Sequence, residues 1–63
     1  NILPILKYGS RGYIVKWVQS KLNLKVDGIY GAETEKAIFK FQSSCGLNRD
    51  GIVGKNTWLE LTK

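Results

Sequence analysis

The sequence predicts an all-α fold, a compact three-helix bundle with two repeated Asp-Gly turns. Two observations carry that prediction. First, the phrase Asp27-Gly28-Ile29-Tyr30-Gly31-Ala32-Glu33-Thr34 returns as Asp50-Gly51-Ile52-Val53-Gly54-Lys55-Asn56-Thr57, with Asp, Gly, Ile, Gly and Thr at one constant offset. Gln19-Ser20 precedes the first copy as Gln42-Ser43 precedes the second, and Leu24 matches Leu47. A fixed period marks a repeated supersecondary unit, here a helix, a tight turn and the start of the next helix. Second, apolar residues recur at helical spacing on either side of the first turn and, more briefly, after the second.

In chain order, residues 1–9 are expected to form an extended lead-in, because Pro4 biases Leu3 away from helix and Leu6 is free to tuck into the core. Helix 1 is expected over 11–22, with Ser10 as its N-cap. Val15, Val18 and Leu22 form one apolar stripe, while Tyr13 and Trp17 are an i, i+4 pair off that stripe. Asp27-Gly28 is a turn in which the glycine can take positive φ; Ile29 is expected to point inward and Tyr30 outward. Gly31 should cap helix 2, expected over 32–45, with Glu33 and Glu35 in the first turn where the helix dipole favours negative charge. Its inner stripe is Thr34, Ala37, Ile38, Phe41 and Cys45, and Gly46 followed by Leu47 is a helix stop. Asn48-Arg49-Asp50-Gly51 is the second turn and Ile52 repeats the role of Ile29. Helix 3, expected over 55–61, turns Trp58 and Leu61 inward and is short enough to depend on packing. The expected core is Leu6, Val15, Val18, Leu22, Leu24, Ile29, Ala37, Ile38, Phe41, Cys45, Leu47, Ile52, Trp58 and Leu61.

Sixty-three residues support one domain, over 1–63 with a core of about 3–61, and such a chain buries only about 60% of its unfolded surface. One cysteine allows no internal disulfide, and the absence of histidine excludes ordinary Cys/His zinc sites. No run approaches the roughly 20 apolar residues that span a bilayer, and no signal-peptide pattern is present. The chain begins at Asn1, not Met, and is expected to be a piece of a larger protein. Its net charge of +5 is uneven. Lys7, Arg11, Lys16, Lys21 and Lys25 precede Asp27 without an acid among them, whereas five bases and five acids cancel from Asp27 onward. That suits one face to polyanions, or simply to solubility.

Chemistry is hard to find. There is no histidine for general-base work, and Cys45 at the end of an apolar stripe fits a buried, inert thiol. Asp27 and Asp50 are explained as turn residues bonding their own backbone. Residues 46–57 copy the middle of a calcium-binding EF-hand, but the required first Asp and twelfth Glu are missing, with Gly46 and Thr57 in their places. Gly9 and Gly12 form no phosphate-binding fingerprint. No cofactor or metal is expected, and no catalytic residue is assigned. The remaining candidates are ligand contacts: Arg11, Tyr13, Trp17, Tyr30 and Phe39, with Tyr8 beside them. Aromatic faces cover the apolar faces of sugar rings, while Arg and Lys hold carboxylates. Trp17 and Phe39 can instead pack against a neighbouring domain, and Tyr30 can instead pack partly into the core.

The ordered set Pro4, Leu6, Gly9, Gly12, Val15, Val18-Gln19, Leu22, Asp27-Gly28-Ile29-Tyr30-Gly31, Thr34, Ala37-Ile38, Phe41-Gln42, Gly46-Leu47, Asp50-Gly51-Ile52-Val53-Gly54, Thr57-Trp58 and Leu61 resembles the type 1 peptidoglycan-binding domain over nearly the whole chain. Val18 stands where that family usually has Leu, and Cys45 where a small residue is usual. The resemblance implies a non-catalytic module that anchors a wall-lytic enzyme (amidase, muramidase, carboxypeptidase or endolysin) to bacterial peptidoglycan. It also implies that Asp27, Gly28, Gly31, Thr34, Gln42, Asp50, Gly51, Gly54, Thr57 and Trp58 are chiefly architectural, with Gln19 and Gln42 bonding loop backbone. The implied partners are peptidoglycan and a catalytic domain of the same chain, with no nucleic acid and no membrane, the domain being a monomer. The implied location is extracellular or the cell wall, or, for a phage product, release at lysis. Two alternatives stand beside it: a three-helix nucleic-acid-binding domain, and an intramolecular pro-domain-like module, for which Cys45-Gly46 lacks the flanking residues of a cysteine switch.

Overall fold

A computed structural model describes residues 3–63, so the first two residues of the expected lead-in lie outside the described residues. Helix α1 runs Tyr13–Lys21, α2 runs Ala32–Ser44 and α3 runs Lys55–Leu61. The second and third match the expected starts, with Gly31 and Gly54 as N-caps in extended conformation. The first begins two residues late. Ser10 does not cap it: the Ser10 hydroxyl accepts the Lys7 N–H at 3.0 Å and the Ser10 N–H donates to the Lys7 carbonyl, closing a turn before the helix. Residues 9–12 then pair with the first Asp-Gly turn. The N–H groups of Gly9 and Gly12 donate to the carbonyls of Tyr30 and Gly28, and the Tyr30 N–H donates to the Ser10 carbonyl. Arg11 lies opposite Ile29 in an isolated antiparallel bridge. Backbone groups engaged across the molecule are not available to a helix.

The first two helices stop in the same way. After α2, Gly46 sits at φ 72°, its N–H donating to Ser43 and that of Leu47 to Gln42. After α1, Asn23 sits at φ 59°, its N–H donating to Ser20 and that of Leu24 to Gln19. Both are left-handed caps that satisfy the last carbonyls. Asn is the side-chain-bearing residue that best tolerates the position.

The core is Leu6, Val15, Val18, Tyr30, Ile38, Val53, Trp58 and Leu61, with Leu22 and Phe41 packed against it. Leu24, Ala37, Cys45 and Leu47 are half-buried at its edge. One expectation is reversed in both repeats. Ile29 and Ile52 point outward, at 45% and 37% exposure, while Tyr30 and Val53 are buried. The cause lies beneath each turn, where a glutamine occupies the space that an inward Ile would need. The Gln19 side-chain oxygen accepts the N–H groups of Asp27 and Gly28, and its amide nitrogen donates to the Asp27 carboxylate, the Ile29 carbonyl and the Thr34 hydroxyl. Gln42 repeats this with Asp50, Gly51, Ile52 and Thr57. Side chains alternate along the extended segment that follows, so the next residue turns inward.

The lead-in is fastened at both ends of this core. Leu6 and Val53 exchange two backbone hydrogen bonds, and the Trp58 indole N–H donates to the Pro4 carbonyl at 2.8 Å. Among the described residues no buried side-chain polar atom lacks a partner. The Cα radius of gyration is 10.3 Å, about the value expected of a folded chain this long.

Candidate functional site

Helix α1 presents Tyr13 and Trp17 on its outer face, one turn apart. Tyr13 is 85% exposed, and the Lys16 ammonium lies 5.6 Å from its ring centre. Trp17 is 44% exposed, with the Lys21 ammonium at 5.9 Å. Its ring is tilted by 40° against Trp58, centre to centre 5.9 Å. The two indoles, with Leu3, Ile14 and Thr62, line an apolar groove. Aromatic and basic side chains therefore interleave along this face, a surface that can cover a sugar ring and hold an anionic substituent. Arg11 is exposed just before the helix, and its bridge to Ile29 fixes its backbone.

Phe39 lies elsewhere, half-buried on α2. Its ring lies over Gly51, where an added Cβ would come within 3.0 Å of a ring carbon, and the Arg49 guanidinium is 5.6 Å from the ring centre. The groove beside it is lined by residues of α2 and by Arg49, and it shares no lining residue with the groove beside Trp17. The structure thus groups Tyr13 and Trp17 but not Phe39 with them.

Tyr30 is corrected. It was expected to face outward as a ligand contact, yet it is 1% exposed and its hydroxyl donates to the Gly51 carbonyl at 2.6 Å. Burial pushes its phenol well up from the usual value, and the negative charges of Glu35 and Asp50 add to the effect. The glutamine beneath the turn is again the reason, since it places residue 30 on the inner side.

The two turn aspartates are committed to architecture. The Asp27 carboxylate accepts the Ile29 N–H at 3.0 Å and the Gln19 amide at 2.8 Å; the backbone bond, then the amide, hold it below the usual carboxylate range. Asp50 does the same with Ile52 and Gln42, and the Ile52 N–H is again the largest cause of the lowered value. Cys45 is half-buried at the end of α2, less enclosed than its place in the apolar stripe suggested. Among the described residues no cluster of His, Cys, Asp or Glu is placed to hold a metal ion, and no helix is long and apolar enough to cross a membrane. Helix α3 has seven residues, one of them basic, and buries Trp58. It has no basic face for reading a nucleic-acid groove.

Sequence reasoning found the α1 aromatics but missed Trp58 as the support of Trp17. It also missed the basic groove on α2, although Lys36, Phe39, Lys40 and Ser43 fall at i, i+3, i+4 and i+7, a spacing that places them on one helix face.

A small helical scaffold, with its two aspartates held in turns and with Tyr13, Trp17 and basic groups on the surface, fits a binding module. Residues 11–61 match the family model described as "Putative peptidoglycan binding domain", and the chain belongs to that family, a non-catalytic binding domain that occurs as a module in hydrolases such as amidase, carboxypeptidase and endolysin. It is 36% identical over 61 residues to the zinc D-Ala-D-Ala carboxypeptidase of Streptomyces albus G, covering 84% of this chain and 24% of that protein. It is 38% identical over 61 residues to a probable N-acetylmuramoyl-L-alanine amidase of Bacillus licheniformis, covering 84% of this chain and 17% of that one. Among solved structures it is similar to the Burkholderia AP3 phage endolysin, with a TM-score of 0.90, 39% identity, and coverage of 94% of this chain and 25% of the endolysin. The chain therefore spans about a quarter or less of the length of these relatives.

Proposed function

We propose that this chain is the wall-anchoring module of a peptidoglycan hydrolase, a single domain with its core over about 3–61, working as a monomer beside a catalytic domain of the same polypeptide at the cell wall. The observation that carries the proposal is the interleaved face of Tyr13, Lys16, Trp17 and Lys21 on a member of the peptidoglycan-binding family. The contacts are Tyr13 and Trp17 for sugar-ring faces, with Arg11 for an anionic group; Phe39 belongs to a separate part of the surface. The carboxypeptidase, amidase and endolysin that it resembles support attachment to a lytic partner. A weak site suffices for this role, because the wall is repetitive and tethering converts later encounters into local ones.

The test is sedimentation of the domain with purified, washed peptidoglycan at low salt. The wild type is expected in the pellet, and Tyr13→Ala is expected to shift protein to the supernatant while remaining folded.

A further inference from the structure

We propose that the groove between α2 and the second Asp-Gly turn is a subsite for the stem peptide of peptidoglycan, a short acidic chain with small apolar side chains. The inference rests on the wall-binding role proposed above. Three cations converge here: Lys36 and Lys40 from α2, and Arg49 from the turn. No acid lines the groove. Among the described residues the one ion pair is Lys63 with Glu60, so these three bases have no carboxylate partner. The acids next to these bases in sequence are otherwise placed: Asp50 is bonded to the Ile52 N–H and the Gln42 amide, and the Glu35 stem lies beside Gly51. Charge counting along the sequence hides this cluster, because acids and bases cancel from Asp27 onward. Folding gathers three of those five bases, Lys36, Lys40 and Arg49, around one concavity, while the Asp27 and Asp50 carboxylates are held by the turns.

The shape selects a peptide. From Lys36 to Ser43 the α2 face is about 10 Å long, at ~1.5 Å per residue, which matches about three residues of extended chain. Phe39 is the apolar floor. Two of its ring carbons meet Gly51 and the Arg49 guanidinium lies 5.6 Å over the ring, so part of its surface is already occupied and less is left for stacking a sugar. A methyl-sized side chain can still rest on it. Arg49 can hold a carboxylate through two parallel N–H bonds, while Lys36 and Lys40 act as point charges; Ser43 supplies a hydroxyl. A phosphodiester polymer would meet the charges but would leave the Phe39 floor unused.

The test is a titration of the isotope-labelled domain with a synthetic sugar-free tetrapeptide of stem type, N-acetylated and with free carboxylates, followed by amide chemical shifts. The expected shifts fall on residues 36–44 and 47–51. Arg49→Gln combined with Lys40→Gln, both exposed positions, should weaken binding at least about tenfold, and amidating the peptide carboxylates should do likewise. Shifts confined to α1, no binding at millimolar peptide, equal affinity in the double variant, or poly(glycerol phosphate) entering the groove where the peptide does not, would each overturn the proposal. Sedimentation with whole peptidoglycan separates the two ideas. A domain that sediments without binding peptide loses this subsite and keeps its anchoring role; one that binds peptide in the groove without sedimenting keeps the subsite and loses anchoring.

Discussion

The Tyr30 hydroxyl donates to the Gly51 carbonyl at 2.6 Å, so the first copy of the repeat reaches through the core and fastens the second. Val53, the matching residue of the second copy, is buried but has no polar end to return the contact. The repeat is symmetric in its turns and asymmetric in this clasp.

Tyr30→Phe keeps the ring and removes the donor, leaving a buried carbonyl without its partner. The expected cost is about 1–2 kcal/mol, or roughly 5–15 °C of melting temperature in a domain this small. The raised phenol adds a pH signature. A group whose folded value lies above its unfolded value stabilises fully below the latter, near pH ~10, and the contribution is lost as pH rises beyond it. Wild-type stability should therefore fall above about pH 10 more steeply than that of Tyr30→Phe. Thermal melts by circular dichroism at pH 8 and pH 11 measure both effects.

Gln19 is the keystone of the first turn. Gln19→Leu, of similar size, strands the N–H groups of Asp27 and Gly28 and takes one of two donors from the Ile29 carbonyl, which keeps the Gly31 N–H. We expect a loss of about 2–4 kcal/mol. Gln42→Leu should behave alike, because Gln42 repeats the same pattern. Urea denaturation of the two variants checks this. A loss under about 0.5 kcal/mol in either would mean that the turns hold without their glutamines.

The turn carboxylates set the acid limit. Hydrogen bonds lower both aspartates in the folded state, so their stabilisation is present above the ordinary value near pH ~4 and is lost as pH falls through the lowered folded one. Melting temperature should drop on acidification below about pH 4. In Asp27→Asn with Asp50→Asn, which cannot titrate, this part of the drop should be absent. Equal acid slopes in wild type and double variant would show that the turns do not set this limit.

On the face proposed to meet the wall, Tyr13 and Trp17 separate binding from stability. Tyr13 is 85% exposed, so Tyr13→Ala should change stability by less than about 0.5 kcal/mol. Trp17 also packs on Trp58. Trp17→Ala should therefore cost about 1–2 kcal/mol, more than its place off the apolar stripe suggested. Both should weaken retention on peptidoglycan, measured well below the melting temperature of each variant.

Much of this architecture is legible in the residues. The stripes of α1 and α2, the Gly46 stop and the Asp-Gly turns follow from local rules of spacing and backbone freedom. What local rules could not supply is where long-range hydrogen bonds go. Gly9 and Gly12 bond the first turn across the molecule, which delays α1 and takes Ser10 away from capping it. The orientation of Ile29 and Tyr30 depends on Gln19, ten and eleven residues upstream, filling the space under the turn. Spacing alone gives an alternation but not which side is inside. For the candidate site, helical periodicity exposed Tyr13 and Trp17. The α2 groove was hidden because its third cation, Arg49, comes from a different element.

Wall anchoring is tested most directly by sedimenting the purified domain with washed peptidoglycan, free of teichoic acid, at low salt. The expected result is saturable retention in the pellet that falls for Tyr13→Ala, the variant remaining folded by circular dichroism. Wild-type protein that stays folded and wholly in the supernatant would contradict it.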